Sequence, residues 1–150
     1  KATNSDRTLY LAGFARFIAG DQDLADRALD TPTFSLECIR NDKFSYNGRG
    51  AIRHVYLREA VVQLKALGLP ILVIRSDNVV RTLREDLKTV TLRSGDLKSV
   101  KLAFEFHPGG RRRTKEIMVE IEPPAYSDVS TKADSDEIEG YLREQGVKLI

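Results

Sequence analysis

Tryptophan is absent from the chain, and only 7% of residues are aromatic. A ring platform of the kind that stacks on sugars is therefore not expected. There is one cysteine, Cys38. A single thiol excludes an internal disulfide and fits a reducing, cytoplasmic compartment. The only histidines are His54 and His107, and no cluster of side chains has zinc-ligand spacing. The sequence contains no P-loop, no dinucleotide fingerprint and no G-x-S-x-G elbow, so neither a cofactor nor a bound metal is expected. Long hydrophobic runs are also missing. The most apolar stretch, Leu9 to Ala19, is broken by Arg16 and is too short to cross a bilayer, so no membrane partner is expected. Methionine occurs once, at Met118, and the chain opens on Lys1. It reads as a processed chain or a piece of a longer one, which leaves a removed signal peptide open.

What is present is an ordinary soluble composition. The 150 residues are 41% hydrophobic and 31% charged. That is enough chain for one globular domain, residues 1–150, with a core that needs no metal or disulfide. The formal net charge is +2, so any attraction for a polyanion must come from local clustering rather than from the sum. Neither an internal repeat nor a low-complexity tract is found.

Periodicity predicts the elements. Caps and apolar spacing give helices over 6–19 and 21–29. "FSLECIR" reads as a strand with Phe34, Leu36 and Cys38 on one face, Cys38 being a buried structural thiol, and "FSY" as a short return. "NGRG" (Asn47 to Gly50) is a turn. Leu57, Ala60, Val61, Leu64 and Leu67 repeat at three and four, which predicts a helix ended by Gly68. "LPILVIR" is a continuous apolar run, expected as a central strand buried on both faces. Ser76 or Asp77 is expected to cap a helix through Leu87. Three strands then follow, "KTVTLR", "KSVKLAFEFH" and "EIMVEIE", the last two alternating apolar and polar. Pairing Phe106 with Ile117, Phe104 with Val119 and Leu102 with Ile121 puts the apolar sets on one face. It also sets Lys101 against Glu122 and His107 against Glu116. Residues 123–134 read as a long loop. Asp134 and Glu137 match a capping box on a helix with Ile138, Tyr141 and Leu142 inward, ended by Gly146, and "VKLI" closes as a strand.

The expected fold is therefore an α+β (mixed α/β) single domain. It has N-terminal helices, a central βα segment, and a three-stranded antiparallel meander followed by a helix and a short strand. Helices cover one face of the sheet. The other face, with Lys101, Glu105, Glu116, Glu120 and Glu122, stays wet or meets a partner.

The hairpin between the last two meander strands carries the clearest functional signal. "HPGGRRRTK" brings Arg111, Arg112, Arg113 and Lys115 together behind two glycines. Guanidinium groups bind phosphates in a bidentate manner, and glycine lets backbone approach a ligand closely. With no ring in the loop, phosphate contacts are expected rather than base stacking. The competing reading is a solvated tip that opposes edge aggregation. Arg49 and Arg53, with Arg40, Lys43, His54 and Arg58 nearby, supply a second basic region. If "YNGRG" precedes a helix, that helix N-terminus favours an anion.

The order helix, three antiparallel strands, helix, strand after Ser76 resembles the core of the PD-(D/E)XK nuclease fold over roughly the second half of the chain. The resemblance implies a divalent metal held by Asp96, Glu120 and Glu122, although Glu122 stands where that motif has lysine. The expectation from the residues is a non-enzymatic nucleic-acid-associated module that grips phosphates through Arg111, Arg112, Arg113 and Lys115, helped by Arg49 and Arg53. The alternatives are a protein-interaction or self-associating assembly module and a divergent metal-dependent nuclease.

Overall fold

The computed structural model describes residues 32–109 and 114–150. The helices expected over 6–19 and 21–29 lie outside the described residues, as do Arg111, Arg112 and Arg113.

A short helix α1 (Glu37–Arg40) leads to strands β1 (Ile52–Leu64) and β2 (Ile71–Arg75). Helix α2 (Val79–Glu85) and a 3-10 turn (Leu92–Ser94) follow. Then come strands β3 (Gly95–Phe106), β4 (Lys115–Glu122) and β5 (Tyr126–Ser127), a 3-10 turn (Val129–Thr131) and helix α3 (Ser135–Glu144). The architecture is mixed α+β, built on a five-stranded sheet in the order β2-β1-β3-β4-β5. Every neighbouring pair is antiparallel.

The largest departure from expectation is β1, where a helix is predicted. The segment is rich in β-branched and aromatic residues, namely Ile52, Val55, Tyr56, Val61 and Val62. Its pairing with β3 shifts register between Ile52 and His54, between Leu57 and Glu59, and between Val61 and Val62. The first two insert an extra residue on β1 and displace its alternation by one each, while the third inserts one on β3. The buried set therefore becomes Ile52, Val55, Leu57, Ala60 and Val62, and steps of three and two imitate a helical period. Gly68 does take the expected left-handed backbone, at φ 84, but in the β1–β2 turn instead of at a helix end.

"LPILVIR" is likewise corrected from a central strand to an edge strand. Only Ile74 is buried on β2, while Ile71 is 65% and Val73 46% exposed. "FSLECIR" is not a strand. Phe34 forms an isolated bridge with Lys148 and residues 37–40 turn into α1. That bridge is all that appears of the closing strand "VKLI". "KTVTLR" ends in a 3-10 turn, so the predicted three-stranded meander is instead the β3–β4 hairpin flanked by β1 and the short β5. The cap of α2 is Asn78, whose Oδ1 accepts from the Arg81 N–H at 3.1 Å, in place of Ser76 or Asp77.

β3 and β4 pair with the expected faces inward but two residues out of the expected register. Phe104 lies opposite Ile117, Leu102 opposite Val119 and Val100 opposite Ile121. These residues join Val55 and Leu57 of β1, Ile39 of α1, Val79 of α2 and Ile138, Tyr141 and Leu142 of α3 in one buried cluster. Phe104 is fully buried at its centre, and burial of such a ring contributes roughly 1.5–3 kcal/mol. Tyr141 packs edge-on to Phe104 and Phe44, at 6.0 and 5.9 Å between ring centroids. Its hydroxyl donates to the Ser45 carbonyl. Burial pushes the pKa of this phenol up.

Residues 123–134 are pinned rather than loose. Tyr126 and Ser127 pair with β4, the Glu120 N–H donates to Asp128 Oδ1 at 2.8 Å, and Val129 is buried. Asp134 precedes α3 with left-handed backbone, φ 56, and its side chain makes no capping bond. The expected capping box is absent because this carboxylate is engaged elsewhere, as described below. Gly146 ends the helix region at φ 76. No helix among the described residues is long and apolar enough to cross a membrane.

Candidate nucleic-acid interface

The β3–β4 hairpin closes with Phe106 opposite Lys115, so residues 107–114 form the connecting loop. Ile52 of β1 also pairs with Phe106, and the His107 N–H donates to the Ala51 carbonyl at 3.0 Å. The turn at 47–50 therefore stands beside the base of the loop. Gly48 in this turn has φ 75, and a Cβ there would lie 2.5 Å from the Arg53 backbone. Only glycine fits both the conformation and the space.

Arg49, Arg53 and Lys115 thus belong to segments at the end of the sheet that carries the loop, but their side chains reach different partners, while Arg111, Arg112 and Arg113 lie outside the described residues. Each of the three described cations faces a carboxylate. Lys115 Nζ is 2.6 Å from Asp134 Oδ2, Arg53 is 3.5 Å from Glu105, and Arg49 is paired with Glu144 of α3. Their side chains are 51%, 55% and 69% exposed, respectively. Ion pairs this open to water contribute about 0–1 kcal/mol, so an arriving phosphate competes with them readily. Beside Arg49 a concavity of about 640 Å³ is lined by Asp136, Glu137 and Glu144 as well as Arg143. Its carboxylates make that flank unfavourable for a polyanion.

The anion cradle expected at a helix start after "YNGRG" does not exist, because residues 47–50 lead into β1. His54 stacks at a tilt on Tyr56, 4.4 Å between centroids. Arg58 lies 5.1 Å over the Tyr56 ring and donates to the Asp77 carbonyl at 2.6 Å and to Glu116 at 3.0 Å. Cys38 is half-buried on α1, and burial raises its thiol pKa.

The sheet face away from the core carries Lys101, Glu105, Glu116, Glu120 and Glu122, and its centre is a cationic clamp on Glu59. That carboxylate is only 12% exposed, bonded to Arg75 and 3.4 Å from Lys101 Nζ. Burial alone would raise its pKa. The Arg75 hydrogen bond and the two positive charges outweigh burial and hold it below the ordinary 4.5. A depressed folded-state pKa adds stability that is present above pH ~4.5 and is lost as pH falls through the folded value. Unfolding titrations between pH 7 and pH 3 should therefore show a shallower acid limb in Glu59→Gln than in the parent.

Asp96, Glu120 and Glu122 do not converge. Asp96 pairs with Lys65 at 3.8 Å near the start of β3, whereas Glu120 lies opposite Lys101, roughly 16 Å further along at the rise of a strand. Among the described residues no group of three or more His, Cys, Asp or Glu is arranged to hold a metal ion.

A basic region unforeseen in the sequence lies at the opposite end of β3. Arg84, Lys88 and Arg93 join Arg40 around a cleft of about 390 Å³. Arg40 Nε donates to the carbonyl of Gly95, the first residue of β3, while the tip loop follows Phe106, roughly 35 Å away along the strand. The two basic regions therefore do not form one track. The spacing of Arg84 and Lys88 in "RTLREDLK", four apart at a helix end, was the available signal. Compared with known proteins, the chain matches no family model, no curated protein and no solved structure.

Proposed function

We propose that this chain is a nucleic-acid-associated binding module, non-enzymatic, that grips phosphates through Arg111, Arg112, Arg113 and Lys115, with Arg49 and Arg53 assisting. What supports this reading is the sequence of the β3–β4 connection, which holds three consecutive arginines, with Lys115 on β4 and Arg53 on β1 close to its base. Three consecutive arginines and Lys115 within five residues, in a protein of net charge +2, make a local charge cluster that the total conceals. Fluorescence anisotropy with labelled duplex DNA, single-stranded DNA and RNA, titrated with salt, tests this function.

A second reading, self-association, is favoured by β2. This strand ends the sheet, and Ile71 and Val73 stand exposed on it beside Leu67 and Leu69 in the preceding turn. An apolar edge strand is a template for pairing with another strand. On this reading multi-angle light scattering gives twice the monomer mass, and Val73→Lys restores the monomer. A monomeric parent at high protein concentration removes it.

A further inference from the structure

The cleft at the start of β3 combines two properties seldom found together on a surface. Its floor is apolar, formed by Ile39, Leu83, Leu92 and the ring of Tyr46. Its rim carries four cations, Arg40, Arg84, Lys88 and Arg93, against the single carboxylate of Asp42. The volume, about 390 Å³, falls in the range of small-molecule sites, about 300–1,000 Å³.

The four cations are not equivalent. Arg40 is anchored to the Gly95 carbonyl at 2.9 Å and meets Glu37 at 3.5 Å. Arg93 is anchored to the Asn41 carbonyl at 2.8 Å. These two bonds cross between the 37–42 segment and the 92–95 segment and hold the walls of the cleft in place. Arg84 and Lys88 form no ion pair among the described residues, since the neighbouring Glu85 is taken by Arg81 at 3.0 Å. Two cations without a carboxylate partner among the described residues, set over an apolar floor, favour a ligand that is itself both apolar and anionic. An inorganic ion leaves the floor wet, and a neutral ring leaves the charges unanswered.

We propose that this cleft binds a small aromatic anion, with its ring on the floor by Leu83 and Leu92 and its phosphate, sulfonate or carboxylate group against Arg84 and Lys88. Its lining shares no residue with the hairpin-tip site, so either site stands if the other falls.

The test uses the intact chain and the fluorescent anion 8-anilinonaphthalene-1-sulfonate, beside its uncharged relative N-phenyl-1-naphthylamine. The sulfonate should bind saturably at one site. Arg84→Gln/Lys88→Gln, both at exposed positions, should weaken it by about tenfold or more, with circular dichroism unchanged. The uncharged probe should bind more weakly and be indifferent to the substitutions. Lys65→Gln/Lys98→Gln, which removes the same charge outside the cleft, should leave sulfonate binding within about twofold. Equal affinity for the two probes, or an undiminished sulfonate affinity in the cleft variant, would overturn the proposal. So would equal weakening by the control pair, because overall charge would then be the cause.

Discussion

Replacing Arg111, Arg112 and Arg113 together with serine should flatten the log–log salt dependence of nucleic-acid binding by about 2–3 units. Each phosphate neutralised by a cation releases condensed counterions, at roughly 0.9 units of slope per contact on duplex DNA and 0.7 on single strands. Three arginines therefore set the size of the change. The cations at the base behave differently, because each starts from an ion pair: Lys115 with Asp134, Arg53 with Glu105 and Arg49 with Glu144. A phosphate that recruits them must displace a carboxylate. Removing the carboxylates, as in Glu105→Gln/Asp134→Asn, should act in the opposite direction to the triple substitution and tighten binding. A tip that serves only to keep strands apart predicts no change from either variant. The two opposed signs, read in the same titration, separate a binding device from a solvated loop.

The second large effect concerns stability. Gly95→Ala should lower the unfolding free energy by at least about 3 kcal/mol and the midpoint by roughly 6 °C or more. Gly95 lies opposite Leu64 where β3 meets β1. A Cβ on it would sit 2.1 Å from the Gln63 carbonyl oxygen, 2.7 Å from the Gln63 carbonyl carbon and 2.9 Å from the Leu64 Cα. All three atoms are backbone, so no side-chain rotation relieves the clash and the two strands must part. Gly140→Ala supplies the control. It lies within α3, where an added methyl group would meet nothing inside 4 Å, and should be neutral or stabilising by up to ~1 kcal/mol. Thermal and denaturant unfolding followed by circular dichroism checks both. If Leu57 to Leu67 formed the expected helix, Gly95 would occupy an open turn and its alanine variant would be nearly silent.

That contrast shows where the sequence was legible and where it was not. The β3–β4 hairpin could be read because its large apolar side chains alternate from Val100 to Phe106 and from Ile117 to Ile121, with only the small Ala103 buried out of step. The inward set of α3, Ile138, Tyr141 and Leu142, and its stop at Gly146 could be read for the same reason, a clean period with a clear end. β1 could not, because its bulges turn a period of two into steps of two and three.

The expected hairpin register is out by two residues for a different cause. A slip of two keeps every side chain on its face, so burial does not choose between the registers, and charge pairing favours the wrong one. In the folded chain Glu105 lies opposite Glu116, a like-charge pair that local rules disfavour. Arg53 at 3.5 Å from Glu105 and Arg58 at 3.0 Å from Glu116 offset it from β1. The candidate site was legible only as a local cluster of charge, for a related reason. The arginines and lysine are contiguous or nearly so in sequence, whereas Asp134 and Glu144, which answer Lys115 and Arg49, arrive from the start and the end of α3. Partners that come from distant elements leave no local pattern.

The most direct measurement is the salt titration of the parent protein itself, by fluorescence anisotropy on duplex DNA, single-stranded DNA and RNA. Phosphate gripping by the hairpin end predicts binding to at least one of them, with a log–log slope steeper than about −2, weakening steadily between about 50 and 200 mM salt. No binding to any of the three at about 50 mM salt, or binding with a flat slope, would contradict it.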